Sequence, residues 1–217
     1  MPNLESIVAV VLAGLALSAT PGPSMLYVLS RSVGQSRAAG LASAIGLGLG
    51  GVLLAAATAL GLAAVLKQTD WAIDILRIAG SIYLVYLGAQ MIWEAHVATP
   101  QKLFVENVRS RSLSSIIWQG VLVEFLNPKT VLFFVLFLPQ FVEASGGSIT
   151  NDNVTLQLLI LGILVPLTAV PSDLIVAFIG GSVAQAVNEN PMISKYLSWF
   201  GGLTLIFIAA NLHFGLI

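Results

Sequence analysis

From Ile7 to Leu29 the chain carries no charged residue, and the run is long enough to cross a bilayer as a helix. Its middle nevertheless reads Ser18-Ala19-Thr20-Pro21-Gly22-Pro23-Ser24. Pro21 has no N–H to give to the carbonyl of Leu17, nor Pro23 to that of Ala19, and each ring crowds the preceding turn. In hydrocarbon such carbonyls are costly unless protein, water or a ligand satisfies them. The sequence therefore predicts a helix broken near the bilayer midplane and turned towards the protein interior. A simple kink packed against a neighbour is the plainer alternative.

The second half has a counterpart. Gly120 to Phe141 is again apolar, and Pro128 interrupts it with Glu124, Asn127 and Lys129 close by. Pro128 leaves the backbone carbonyl of Glu124 without its helical donor. Two interrupted hydrophobic segments at corresponding places in two halves point to the binding site of a transporter.

Thr20-Pro21-Gly22-Pro23 followed by Met25-Leu26-Tyr27, together with Asn127-Pro128-Lys129 and Phe137-Leu138-Pro139-Gln140-Phe141, resembles the LysE/RhtB family of amino-acid exporters. The resemblance runs through the whole chain in length, hydropathy and motif order. One position departs from it: Ser24 stands where the family often carries Asn. The resemblance implies an inner-membrane secondary transporter that exports a small amino acid or close derivative.

The composition agrees with a membrane protein. Charged residues make up 9% of the 217 and hydrophobic ones 57%, against roughly 25% charged in soluble domains. A net charge of -1 gives no reason to expect a nucleic-acid partner. No cysteine is present, so disulfides and thiolate metal sites are excluded. The first residues, Met1 to Ser6, carry Glu5 and no basic residue, unlike the start of a secretory signal, and the first apolar run reads as a permanent span.

Six apolar segments follow, at about 6–30, 39–66, 71–93, 113–141, 154–183 and 196–216. The expected fold is an all-α membrane protein with six transmembrane helices. It forms one domain over 1–217: a three-helix half to about 94, a polar cytoplasmic loop over about 95–112, and a second half from about 113. Three spans per half make the second half enter from the opposite side, so repeats would be inverted, with helices 1 and 4 the interrupted pair. Asp74 and Arg77 open the third segment at a spacing that allows pairing. Gly46-Leu47-Gly48-Leu49-Gly50-Gly51 matches a dinucleotide fingerprint, with Asp70 at about the fingerprint distance, but no strand precedes it. Close helix packing through Gly46 and Gly50 is expected instead.

Ionisable groups at membrane depth cost roughly 2.5–3.5 kcal/mol each on the insertion scale, which singles out Glu124, Lys129 and Asp173. Glu124 and Lys129 lie about 140° apart around a regular helix, and share a face only if Pro128 breaks it. An amino-acid carboxylate could then meet Lys129 or the N–H groups opening the half-helix after Pro23 or Pro128. Its ammonium could meet Glu124, Asp173 or freed carbonyls. The expected substrate-binding set is Thr20, Pro21, Gly22, Pro23, Ser24, Glu124, Asn127, Pro128, Lys129 and Asp173. Asp173, and next to it Glu124, are the expected proton-coupling groups of an antiporter. An internal salt bridge that locks helices together is the alternative for each ionised residue.

No cofactor is expected, and the partners are a small molecule and the lipid bilayer, with a homo-oligomer compatible. A metal-ion exporter of the wider superfamily would want His, Cys or clustered carboxylates. An intramembrane hydrolase would need Gly180-Gly181-Ser182 to meet His213, yet these fall at opposite ends of their spans, about a bilayer thickness apart. An enzyme is not expected.

Arg31, Arg37, Lys102, Arg109, Arg111 and Lys195 fall on one side of this topology and only Lys67 on the other. The positive-inside rule makes the basic side cytoplasmic and both termini non-cytoplasmic. A cysteine replacing Ser110 should resist a membrane-impermeant maleimide in intact cells and react once the membrane is permeabilised. Ready labelling in intact cells would overturn the orientation.

Overall fold

The computed structural model describes residues 2–19, 22–68, 72–97, 109–142, 151–189 and 191–214. Among these it is all helical, with eight α-helices and one 3-10 turn. Most of the expected loop over 95–112, and the side chains of Asp74, Arg77, Ser182 and His213, lie outside the described residues.

The first apolar run forms two helices. α1, Leu4–Ala19, stops short of the prolines, and α2, Pro23–Gly34, begins on one. Proline suits that first position because its missing N–H has no intrahelical partner there. The two axes diverge by 52°. α3, Arg37–Gln68, and α4, Ala72–Val97, follow. The second interrupted run gives α5, Leu113–Phe125, and α6, Pro128–Phe137, which continues into a 3-10 turn, Leu138–Phe141. Here the bend is 48°. α7, Asn151–Glu189, and α8, Pro191–Phe214, complete the chain. The six apolar segments of the sequence thus fall in order on α1–α2, α3, α4, α5–α6, α7 and α8.

By length and composition, Arg37–Leu62 and Val154–Gly180 can each cross a membrane, and each bent pair can do so if it is one span. α4 and α8 contain shorter apolar stretches, Ile78–Trp93 and Ser198–Ala210. Leu12, Leu15, Leu49, Leu53, Ile82, Phe178 and Phe207 are exposed on the outside of the bundle. In water such a surface would drive association, but lipid tails solvate it.

α3 packs against α7, and α4 against α8. α5 lies on α3, as α1 and α2 lie on α7; α6 and the 3-10 turn lie on α4, as α1 lies on α8. Lipid removes the hydrophobic drive for helices to associate, so close packing carries these contacts. Gly46 and Gly50 of α3 face the backbone of Ile117 and Val121 in α5, as the small-residue spacing predicts. Gly88 of α4 and Gly202 of α8 meet backbone to backbone in the same manner.

Among the described residues the packing is uneven along the bundle. The larger core surrounds α6 and the 3-10 turn, where Phe133, Phe134, Phe137 and Leu138 are fully buried and Phe137 stacks on Phe133 and Phe141 with centroids 4.4 and 4.8 Å apart. The opposite end has two small clusters, around Leu29 and Ile116. Polar contacts complete it. Buried Arg31 donates to Gln119 Oε1 at 3.0 Å and to the Arg109 carbonyl at 3.2 Å, with its guanidinium over the Tyr27 ring. Ser32 donates to the Ala177 carbonyl at 2.6 Å, beside Ile179, where α7 leaves helical geometry.

A Cβ at Gly50 would lie 2.6 Å from the Val121 carbonyl oxygen and 2.9 Å from Glu124 Cβ, so a larger residue must push α5 away. Gly61 has nothing within 4 Å of the same position. Gly50→Val should cost about 1–3 kcal/mol by overpacking, read as a lower melting temperature in detergent. Gly61→Ala should hold or raise that temperature, since it removes helix-interior glycine worth about 0.5–1 kcal/mol. Equal effects would contradict the α3–α5 contact.

Candidate functional site

The two interruptions meet. Ser24, in the first turn of α2, donates its hydroxyl to Glu124 Oε2, near the end of α5, through a short hydrogen bond. Asn127, between α5 and α6, donates from Nδ2 to Ser24 Oγ at 3.1 Å. Thr130 Oγ1 donates to the other carboxylate oxygen of Glu124 at 2.9 Å. One polar chain, Asn127–Ser24–Glu124–Thr130, therefore joins residues 100 or more positions apart.

The backbone explains why these residue types occur here. Asn127 accepts from the Lys129 N–H through Oδ1 at 3.1 Å and so caps α6. Its own N–H reaches the Glu124 carbonyl at 3.1 Å, replacing the donor that Pro128 lacks. The Leu17 carbonyl, which Pro21 cannot serve, accepts from Lys129 Nζ at 3.3 Å. An ammonium at the carbonyl end of α1 also faces the negative pole of that helix. The start of α2 differs: its N-cap, Gly22, has no side chain to offer its N–H groups.

A cavity of about 60 Å³ opens at this crossing. Gly22, Pro23, Ser24, Glu124, Asn127, Lys129, Thr130 and Asp173 supply its polar wall; Leu17, Leu47, Phe134, Val165 and Pro166 supply apolar wall. Asp173 reaches it from α7 and is only 8% exposed. Two acids and one ammonium therefore face a space shared by α1, α2, α3, α5, α6 and α7. The break between α5 and α6 is what brings Glu124 and Lys129 to the same side.

Of the residues expected from the sequence, Gly22, Pro23, Ser24, Glu124, Asn127, Lys129 and Asp173 line this cavity. Thr20 and Pro21 lie outside the described residues. Pro128 is exposed and lines a neighbouring cavity, so its part here is to break the helix. Sequence reasoning missed Thr130, whose position one residue beyond Lys129 could have flagged it. It also missed Ser18, which lines the cavity and lies 3.5 Å from Ser172 of α7. Among the described residues no group of three or more His, Cys, Asp or Glu side chains could hold a metal ion.

Comparison with known proteins gives a consistent result. The family model for the LysE type translocator matches residues 15–215. The chain is 27% identical over 192 residues to a leucine efflux protein of Enterobacter sp. (strain 638), covering 88% of this chain and 87% of that one. It is 26% identical over 192 residues, with the same coverage, to a leucine efflux protein of Klebsiella pneumoniae. A leucine efflux protein of Salmonella typhimurium is 32% identical over 126 residues, 58% of either chain. No solved structure matches. Both breaks and every charged residue of the cavity fall inside the matched region, and the chain belongs to the LysE type translocator family.

Proposed function

We propose that this protein is a secondary transporter that exports a small amino acid or close derivative across the bacterial inner membrane, by proton antiport. The observation that carries the reading is the polar chain Asn127–Ser24–Glu124–Thr130, joined to a cavity that also holds Lys129 and Asp173. An apolar bundle gains little from so much polarity unless it binds something polar. Efflux of leucine by the named relatives agrees with an amino acid as that ligand.

The carboxylate of the substrate meets Lys129 and the open N–H groups of α2, where charge and helix dipole add. Its ammonium meets Glu124 and Asp173. The corresponding contacts of α5 on α3 and α1 on α7 support an inverted three-helix repeat with six spans, with this site near the axis relating the halves. The excess of basic residues at the α2–α5 end makes that end cytoplasmic.

Uphill export needs a coupled flow, and the membrane potential offers about 2.3 kcal/mol per charge per 100 mV. Both oxygens of Glu124 are engaged by hydroxyls, which ties it to the helix crossing. Asp173 sits two residues beyond Pro171 on α7 and is the better proton carrier, taking a proton on the outer side and releasing it inside. In proteoliposomes, Lys129→Met should abolish exchange. Because it also strands the Leu17 carbonyl, it should cost about 1.5–3 kcal/mol of stability, the worth of a hydrogen bond to a charged group. Asp173→Asn should keep exchange and lose accumulation driven by an imposed pH gradient. Accumulation by the Asn variant would remove Asp173 from the coupling role, and normal exchange by the Met variant would remove Lys129 from the site.

A further inference from the structure

A second cavity, of about 270 Å³, lies against the first between α4 and α6. The two have Gly22, Pro23 and Lys129 in common, so the start of α2 and the ammonium form the seam between them. Beyond the seam the lining is mostly apolar: Leu87, Met91 and Leu132 line it with Pro128, the rings of Tyr83 and Tyr86 frame them, and Gln90 is the one amide among them. Tyr83 donates its hydroxyl to the Lys129 carbonyl at 3.1 Å, which fixes this wall to the first turn of α6.

The two volumes divide the work of holding one ligand. The central cavity, at about 60 Å³, is small beside the second, at about 270 Å³. The smaller volume is the scale of an ammonium, a carboxylate and the carbon between them, and it leaves no space for a bulky side chain. The second cavity exceeds the roughly 150 Å³ that admits benzene in an apolar protein interior. A carboxylate held at the seam leaves its own side chain only a short step from that space.

We propose that the α4–α6 cavity is the side-chain subsite of the transporter, and that Leu87, Met91 and Leu132 select amino acids with a bulky apolar side chain. This rests on the exporter reading above and deepens it. The head group lies among Lys129, Glu124 and Asp173, while the side chain passes the Gly22–Pro23 backbone into the apolar space. Glycine at residue 22 leaves that passage clear of any side chain. A lipid acyl chain or a second copy of the protein seated in the same groove would touch the wall without discriminating between substrates.

Leu132 tests this because it is 43% exposed and lines the groove without belonging to the packed core. Leucine and alanine exchange are measured side by side in proteoliposomes, with phenylalanine as a third probe. Leu132→Trp fills the subsite and should lower the leucine-to-alanine ratio about tenfold or more, the scale on which a hydrophobic pocket separates substrates by size. Leu132→Ala enlarges it and should raise the phenylalanine-to-leucine ratio. Unchanged ratios in both variants, or a parallel fall of all three substrates, would overturn the subsite and leave the exporter reading standing. Failure of the unmodified protein to exchange any amino acid would overturn both.

Discussion

Everything in this structure depends on what becomes of the backbone groups that three prolines release inside an apolar bundle. A freed carbonyl or N–H in hydrocarbon must find a partner, because no water stands by to take its place. The Leu17 carbonyl finds Lys129, and the Glu124 carbonyl finds the N–H of Asn127. Each solution brings a polar side chain into the bundle, and the side chains then find one another. The cavity is thus a consequence of the breaks. The start of α2, where Gly22 offers no side-chain cap, suits an anionic ligand head.

Much of this was legible in the sequence, for a definite reason. Charges and prolines are so costly at membrane depth that Glu124, Lys129, Asp173 and the two interruptions stand out without any structure. The glycines of α3 were legible too, since their spacing puts Gly46 and Gly50 on one face. What could not be read was pairing. Nothing local links Ser24 to Glu124, or Lys129 to the carbonyl of Leu17; both contacts come from the way the two bent pairs cross. Arg31 shows the same gap. By pattern it is one more basic residue at a helix end, yet the fold buries it against Gln119, Tyr27 and the backbone of Arg109.

The uneven packing bears on how such a protein would move. Around α6 and the 3-10 turn, aromatic side chains fill a deep apolar plug, and opening it would forfeit many close contacts. At the other end the described residues form smaller apolar clusters, joined by the hydrogen bonds of Arg31 and of Ser32, the latter to α7 beside its departure from helical form at Ile179. A few exchangeable polar contacts break and re-form more readily than a packed core.

The proposed site holds both charges of an amino-acid head group where the two breaks cross. Thermal unfolding of the purified protein in detergent measures this directly, because a ligand that binds only the folded state raises stability by about 2.7 kcal/mol at a hundredfold excess over its dissociation constant. Leucine should raise the melting temperature, while leucine methyl ester, lacking the carboxylate, and N-acetylleucine, lacking the ammonium, should leave it near its unliganded value. Equal stabilisation by all three would contradict the account, since a site that ignores both charges is not built from Lys129, Glu124 and Asp173.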